Sequence, residues 1–102
     1  MNIREATFEW IRARGIRYIF GNPGSTELPF LVNLPDGVRY VLALQESIAL
    51  AMADGYAQAS GQPALVNLHV APGLGNAMGV LFTALKNRAP LIVTCGQQDT
   101  RH

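Results

Sequence analysis

The sequence predicts a three-layer α/β domain: a parallel sheet with helices packed on both faces. Three observations lead there. Short apolar runs alternate with longer segments of helical spacing, and strand-helix-strand-helix alternation is the pattern of a parallel sheet. The run Leu91-Ile92-Val93-Thr94-Cys95 is apolar without alternation, as in strands covered on both faces. Finally, Leu42 to Ala57 takes a short strand straight into a helix made almost wholly of Ala, Ile, Leu and Met, the composition of a buried helix.

The elements follow in order. Ile3, Ala6, Trp10 and Ile11 recur at helical spacing, and Gly15 is placed to stop that helix. Arg17 to Phe20 reads as the first strand, closed by the loop Gly21-Asn22-Pro23-Gly24-Ser25, where two glycines and a proline force a tight turn. Thr26 to Leu34 reads as a short helix capped by Ser25, although Pro29 interrupts it. Pro35-Asp36-Gly37 is a turn, and Val38 to Leu44 is the second strand. The apolar helix then runs from Glu46 to about Ser60, ended by Gly61-Gln62-Pro63. Its ridge Ala49-Ala53-Ala57 lets another backbone approach, and Gly55 inside it predicts a close contact, since glycine there costs ~1 kcal/mol against alanine. Ala64 to Leu68 is the third strand with His69 at its end, Val70 to Gly73 reads as a loop, and Leu74 to Leu85 supplies a further helix. Leu91 to Cys95 is the fourth strand, followed by the loop Gly96-Gln97-Gln98.

Composition bounds the function. The 102 residues allow one domain, and 49% apolar with 15% charged residues is richer in core than a self-contained domain of this size needs. The expectation is a piece of something larger, truncated after the fourth strand. A formal charge of +1 with scattered arginines argues against a nucleic-acid partner. The single Cys95 excludes an internal disulfide and fits a reducing, cytoplasmic setting. Arg4 and Glu5 break any leader-like run, and no apolar stretch approaches the ~18 residues of a membrane span.

Three polar residues stand just beyond three strands: Ser25, Glu46 and His69. Parallel strands bring all three to one edge of the sheet. If the strand order is 2-1-3-4, as in flavodoxin-like sheets, the loops bearing Ser25 and His69 flank the switch point where such sheets bind ligands. Each residue also has a plainer reading. Ser25 serves as a helix cap, Glu46 complements a helix dipole, and His69 sits in the core against backbone carbonyls. Cys95 is most simply a small buried hydrophobe. Gly73, Gly75 and Gly79, with Asp99 downstream, approach the spacing of a dinucleotide fingerprint, but the third glycine is one position late and Asp99 lies past its strand. These glycines are better read as allowing close packing against a cofactor or a neighbouring domain.

Five segments carry a resemblance: Gly21-Asn22-Pro23-Gly24-Ser25, Leu42-Ala43-Leu44-Gln45-Glu46, Ala53-Asp54-Gly55-Tyr56-Ala57, Asn67-Leu68-His69 and Gly75-Asn76-Ala77-Met78-Gly79. Together they resemble the N-terminal, pyrimidine-binding domain of the thiamine diphosphate-dependent 2-oxoacid decarboxylases. The glutamate followed by Ala-Asp-Gly-Tyr-Ala belongs to that wide superfamily. The Gly-Asn-Pro-Gly-Ser loop with the strand-end histidine narrows the resemblance towards its benzoylformate decarboxylases. It implies that Glu46 hydrogen-bonds the cofactor's pyrimidine ring, that His69 handles protons at the reacting carbon, and that Ser25 holds the substrate carboxylate. Asn22, Pro23, Gly24, Gly73 and Asn76 would complete the cofactor-binding surface. The substrate would be a small aromatic 2-oxoacid. The family's Gly-Asp-Gly motif for magnesium and the diphosphate has no counterpart here, so no metal ligand is assigned and both groups fall to another domain of a homodimer or homotetramer. A non-catalytic flavodoxin-like module binding a nucleotide or a partner would use the same glycine loops without needing Glu46 or His69.

Overall fold

A computed structural model describes residues 1–101. Its elements alternate as the periodicities predict: α1 (Ile3–Ala13), β1 (Tyr18–Gly21), α2 (Leu28–Leu31), β2 (Arg39–Leu42), α3 (Glu46–Ser60), β3 (Ala64–Leu68), α4 (Val70–Lys86) and β4 (Leu91–Cys95). The four strands form one parallel sheet in the order β2-β1-β3-β4. That is the 2-1-3-4 order, with the switch point between β1 and β3.

The two faces of the sheet are built differently. On one, α3 and α4 lie over Phe20, Ala64, Val66 and Leu68, with Ala49, Ala53 and Ala77 letting the helices come close. On the other, Phe8 and Ile11 of α1 cover Ile19 and Leu65, with Phe30, Leu31 and Tyr40 at the margin. Leu50, Ile11 and Leu65 are essentially inaccessible, and full burial of such a side chain contributes about 1.5–3 kcal/mol.

Local chemistry sets the helix ends. Asn2 caps α1 by accepting from the Glu5 amide, while the Glu5 carboxylate accepts from the Asn2 amide. Gly15, at φ +71°, ends α1 with Ile16 N–H donating back to the Ile11 carbonyl. Gly61, at φ +69°, closes α3 in the same left-handed conformation.

Several expectations are corrected. The second helix is only Leu28–Leu31, and Ser25 does not cap it; Glu27 occupies the cap position without a side-chain cap bond. The Glu27 carboxylate turns back into the preceding loop instead, and Arg4 of α1 reaches the carbonyls of Phe30, Val32 and Asn33 at the helix's other end. No loop separates β3 from the next helix: α4 begins at Val70, directly after His69. Pro72 is tolerated there because first-turn amides lack helical partners in any case. α3 is not buried all round, since Ile48, Ala51 and Gly55 face outward. A Cβ at Gly55 would meet nothing within 4 Å, so its expected close contact is not made among the described residues. β4 is a half-buried edge strand rather than a covered one, and Cys95 is exposed.

Candidate functional site

Parallel pairing puts the ends of β1, β2 and β3 at one edge, with Gly21 opposite both Leu42 and Asn67. Glu46 therefore stands on the first turn of α3, and His69 at the junction of β3 with α4. That junction is sharp. Val70 adopts φ +42°, a conformation that a β-branched residue takes up only when its surroundings over-determine it. Its side chain is buried and its carbonyl accepts from the Cys95 thiol at 3.1 Å.

Glu46 is 8% exposed. Its Oε2 accepts from Asn76 Nδ2 at 3.2 Å, the one side-chain hydrogen bond it makes among the described residues. Gly73 lies against its stem: a Cβ there would sit 3.3 Å from Glu46 Cγ. Both α4 residues expected at the cofactor surface thus meet Glu46 directly. The result is a largely buried carboxyl group with hydrogen-bonding capacity to spare on Oε1.

His69 belongs to a second cluster. Its Nδ1 lies 2.8 Å from Glu27 Oε2, which also accepts from the Gly24 amide at 2.9 Å; Glu27 Oε1 accepts from Thr26 Oγ1 at 2.6 Å. The imidazole is about a third exposed, whereas Glu27 is 3% exposed. Burial works to raise the Glu27 pKa, but the bonds from Thr26, His69 and Gly24 outweigh it and hold the carboxyl below its ordinary value. The neighbouring Tyr40 phenol is pushed up to about 12, by burial first and by the Glu27 charge second. Tyr40 Oη and Asn67 Oδ1 are buried in the same region without a hydrogen-bond partner among the described residues. A cleft of about 470 Å³ opens beside Glu27, with Thr26, Glu27, Phe30, Asn67, Thr94 and Gly96 in its wall and His69 outside it. It is large enough for part of a small molecule.

Gly24 serves the histidine, because a Cβ at that position would overlap the His69 ring. Ser25 is exposed, and its hydroxyl makes no hydrogen bond among the described residues. Asn22 and Pro23 are half-buried in the same loop. Asp99 is held by Arg101 rather than standing at a strand tip. Sequence reasoning missed Glu27 altogether. The available signal was an acid in the loop after the first strand, at the edge that also receives a strand-end histidine. Among the described residues no group of three or more His, Cys, Asp and Glu side chains gathers to hold a metal ion, and no helix is long and apolar enough to cross a membrane.

Fold and site define a ligand-binding domain with two acids and an imidazole at the carboxyl edge of a parallel sheet. Residues 1–102 match the family model of the thiamine pyrophosphate enzyme, N-terminal TPP binding domain, and the chain belongs to that family. It is 51% identical over 96 residues to benzoylformate decarboxylase of Pseudomonas aeruginosa, covering 94% of this chain and 18% of that protein. The thiamine diphosphate-dependent 4-hydroxybenzoylformate decarboxylase of Rhodococcus jostii RHA1 superposes with a TM-score of 0.93 at 52% identity, over 99% of this chain and 19% of that one. The acetolactate synthase large subunit of Haemophilus influenzae is 32% identical over 95 residues, 91% of this chain and 17% of that protein. The chain therefore spans about a fifth of the length of the relatives it matches. Its residues fit the pyrimidine end of such a cofactor. Glu46 is buried and under-bonded, and Gly73 beside it adds no side chain to the space around it.

Proposed function

We propose that this domain supplies the pyrimidine-binding side of an enzyme that decarboxylates an aromatic 2-oxoacid of the benzoylformate type to an aldehyde and carbon dioxide. The observation that carries the cofactor assignment is Glu46: 8% exposed, at the carboxyl edge of the sheet, with one neutral partner in Asn76. A carboxyl group in that setting can share a proton with a ring nitrogen. Bound thiamine diphosphate supplies the electron sink for loss of carbon dioxide. This chain's residues hold and orient. Glu46 takes the ring nitrogen, Asn76 and Gly73 fix Glu46, and Asn22, Pro23 and Gly24 wall the site. His69 moves a proton at the reacting carbon, and the exposed Ser25 hydroxyl is free to hold the substrate carboxylate. Magnesium and the diphosphate are assigned to a part of the protein outside these residues, and the working form to a homodimer or homotetramer.

The aromatic substrate rests on the 51% identity to benzoylformate decarboxylase. The likeness to acetolactate synthase supports a second reading, in which two 2-oxoacids are joined after decarboxylation. The full-length protein, loaded with thiamine diphosphate and magnesium, separates them. Benzaldehyde from benzoylformate is expected; acetolactate from pyruvate, with benzoylformate untouched, would replace the first reading by the second. No turnover of either acid would overturn both.

A further inference from the structure

We propose that Glu27 is the positioning residue of His69, holding the imidazole as its Nδ1–H tautomer so that Nε2 is the nitrogen that works. The proposal rests on the reading of His69 as a proton-handling group and adds which nitrogen acts and what holds it. An ionised carboxylate can only accept. Glu27 Oε2, at 2.8 Å from His69 Nδ1, therefore requires a proton on Nδ1, and in a neutral imidazole that leaves Nε2 bare.

The carboxylate cannot easily turn away from this task. Oε2 is held from the other side by the Gly24 amide at 2.9 Å and Oε1 by Thr26 Oγ1 at 2.6 Å, in a residue only 3% exposed. Two glycines close around the pair. A Cβ at Gly24 would overlap the imidazole, and one at Gly96 would overlap Glu27 Oε1. Side chains larger than hydrogen at 24 or 96 would thus separate acid from base.

The charges facing Glu27 are few. Tyr40 from β2 and Cys95 from β4 feel its charge, and each is shifted upward, first by desolvation of the phenol or of the thiol within an otherwise exposed Cys95, and second by Glu27. Arg4 lines the same cleft from α1, but its guanidinium donates to the carbonyls of Phe30, Val32 and Asn33. Among the described residues, His69 is the one basic side chain within hydrogen-bond reach of the Glu27 carboxylate. A helix-cap or loop-stabilising role would need the Gly24 and Thr26 bonds alone; it would not place an imidazole nitrogen on the same oxygen.

The test uses the full-length protein with ¹⁵N-labelled histidine and the variants Glu27→Gln, Glu27→Asp and Glu27→Ala. Without cofactor or substrate, under alkaline conditions where imidazoles are neutral, the His69 spectrum is expected to show a protonated Nδ1 and a bare Nε2. Glu27→Gln, which can also donate, and Glu27→Ala should convert it to a tautomer mixture. With the loaded enzyme, kcat should fall by on the order of 10²-fold in Glu27→Gln while KM moves by less than about threefold, and Glu27→Asp should recover part of the loss. A wild-type His69 protonated on Nε2, or an unchanged nitrogen signature in Glu27→Gln, overturns the proposal. The nitrogen measurement needs no turnover, so it stands if the decarboxylase reading fails. The wild-type spectrum and Glu27→Asp decide the matter if the larger changes prevent folding.

Discussion

Glu27 and Glu46 are two buried carboxyl groups at the same edge of one sheet, and they are served very differently. Glu27 accepts from a backbone amide, a hydroxyl and an imidazole, with both oxygens engaged. Glu46 has a single neutral side-chain donor at 3.2 Å among the described residues. Burial removes most of the water from both, so protein groups, residual solvent or a ligand must take its place. At Glu27 the protein has replaced it; at Glu46 it has done so only in part. On the readings proposed above, the saturated acid orients a histidine and the under-bonded one meets the cofactor.

The largest effect expected from breaking this contrast is on chemistry at Glu46. Glu46→Gln keeps size and one acceptor oxygen but cannot share a proton with a ring nitrogen. In the loaded full-length protein we expect turnover to fall by ~10²–10⁴-fold, with stability changed by no more than ~1 kcal/mol. Steady-state rates beside urea unfolding measure both, and near-normal turnover would reduce Glu46 to a dipole partner.

The glycines sharpen the comparison. Gly96→Ala would drive a methyl into Glu27 Oε1 and Gly73→Ala would bring one to 3.3 Å from Glu46 Cγ. Overpacking the saturated site should cost about 1–3 kcal/mol. The change beside Glu46 should stay within about 1 kcal/mol, because alanine's helix preference offsets a contact that a small shift relieves. Equal losses in denaturant titrations of the two variants would show that the two acids are equally confined.

Acidification probes Glu27 next. Its folded-state pKa lies below the ordinary value of 4.5, so the unfolded chain binds the proton more readily. The stabilisation from Glu27 is therefore complete above that value and is lost as pH falls through the lower folded pKa. Glu27→Gln should flatten the part of the melting-temperature profile below about pH 4.5 that this residue contributes. A profile unaltered by the substitution would mean that another group governs the acid limb.

The smallest expected effect lies away from both acids. Gly55→Ala places a methyl in open space on the outer face of α3 and should stabilise the protein by about 0.5–1 kcal/mol in thermal unfolding. Destabilisation instead would mean that another surface closes on this face in the full-length protein.

By itself the sequence determined the fold class and the edge where chemistry gathers. Periodicity marks each strand and helix locally, and in a parallel sheet every loop after a strand must emerge on one side. Glu46 was legible for that reason: the junction of an apolar strand with an alanine-rich helix names its own acid. Its partner Asn76 was found through resemblance and Gly73 through the glycine spacing of its loop, neither through any visible contact. Glu27 was not legible. Its partner His69 is 42 positions away, and nothing local distinguishes a glutamate two residues before a proline from a solvated one. The helical start at Val70 was hidden for a related reason, since glycine and proline punctuate loops and first turns alike. Tertiary structure alone decided which acid would be saturated and which left open. Hydrogen bonds are satisfied by whatever the fold brings within 3 Å or so, and distance along the chain does not record that.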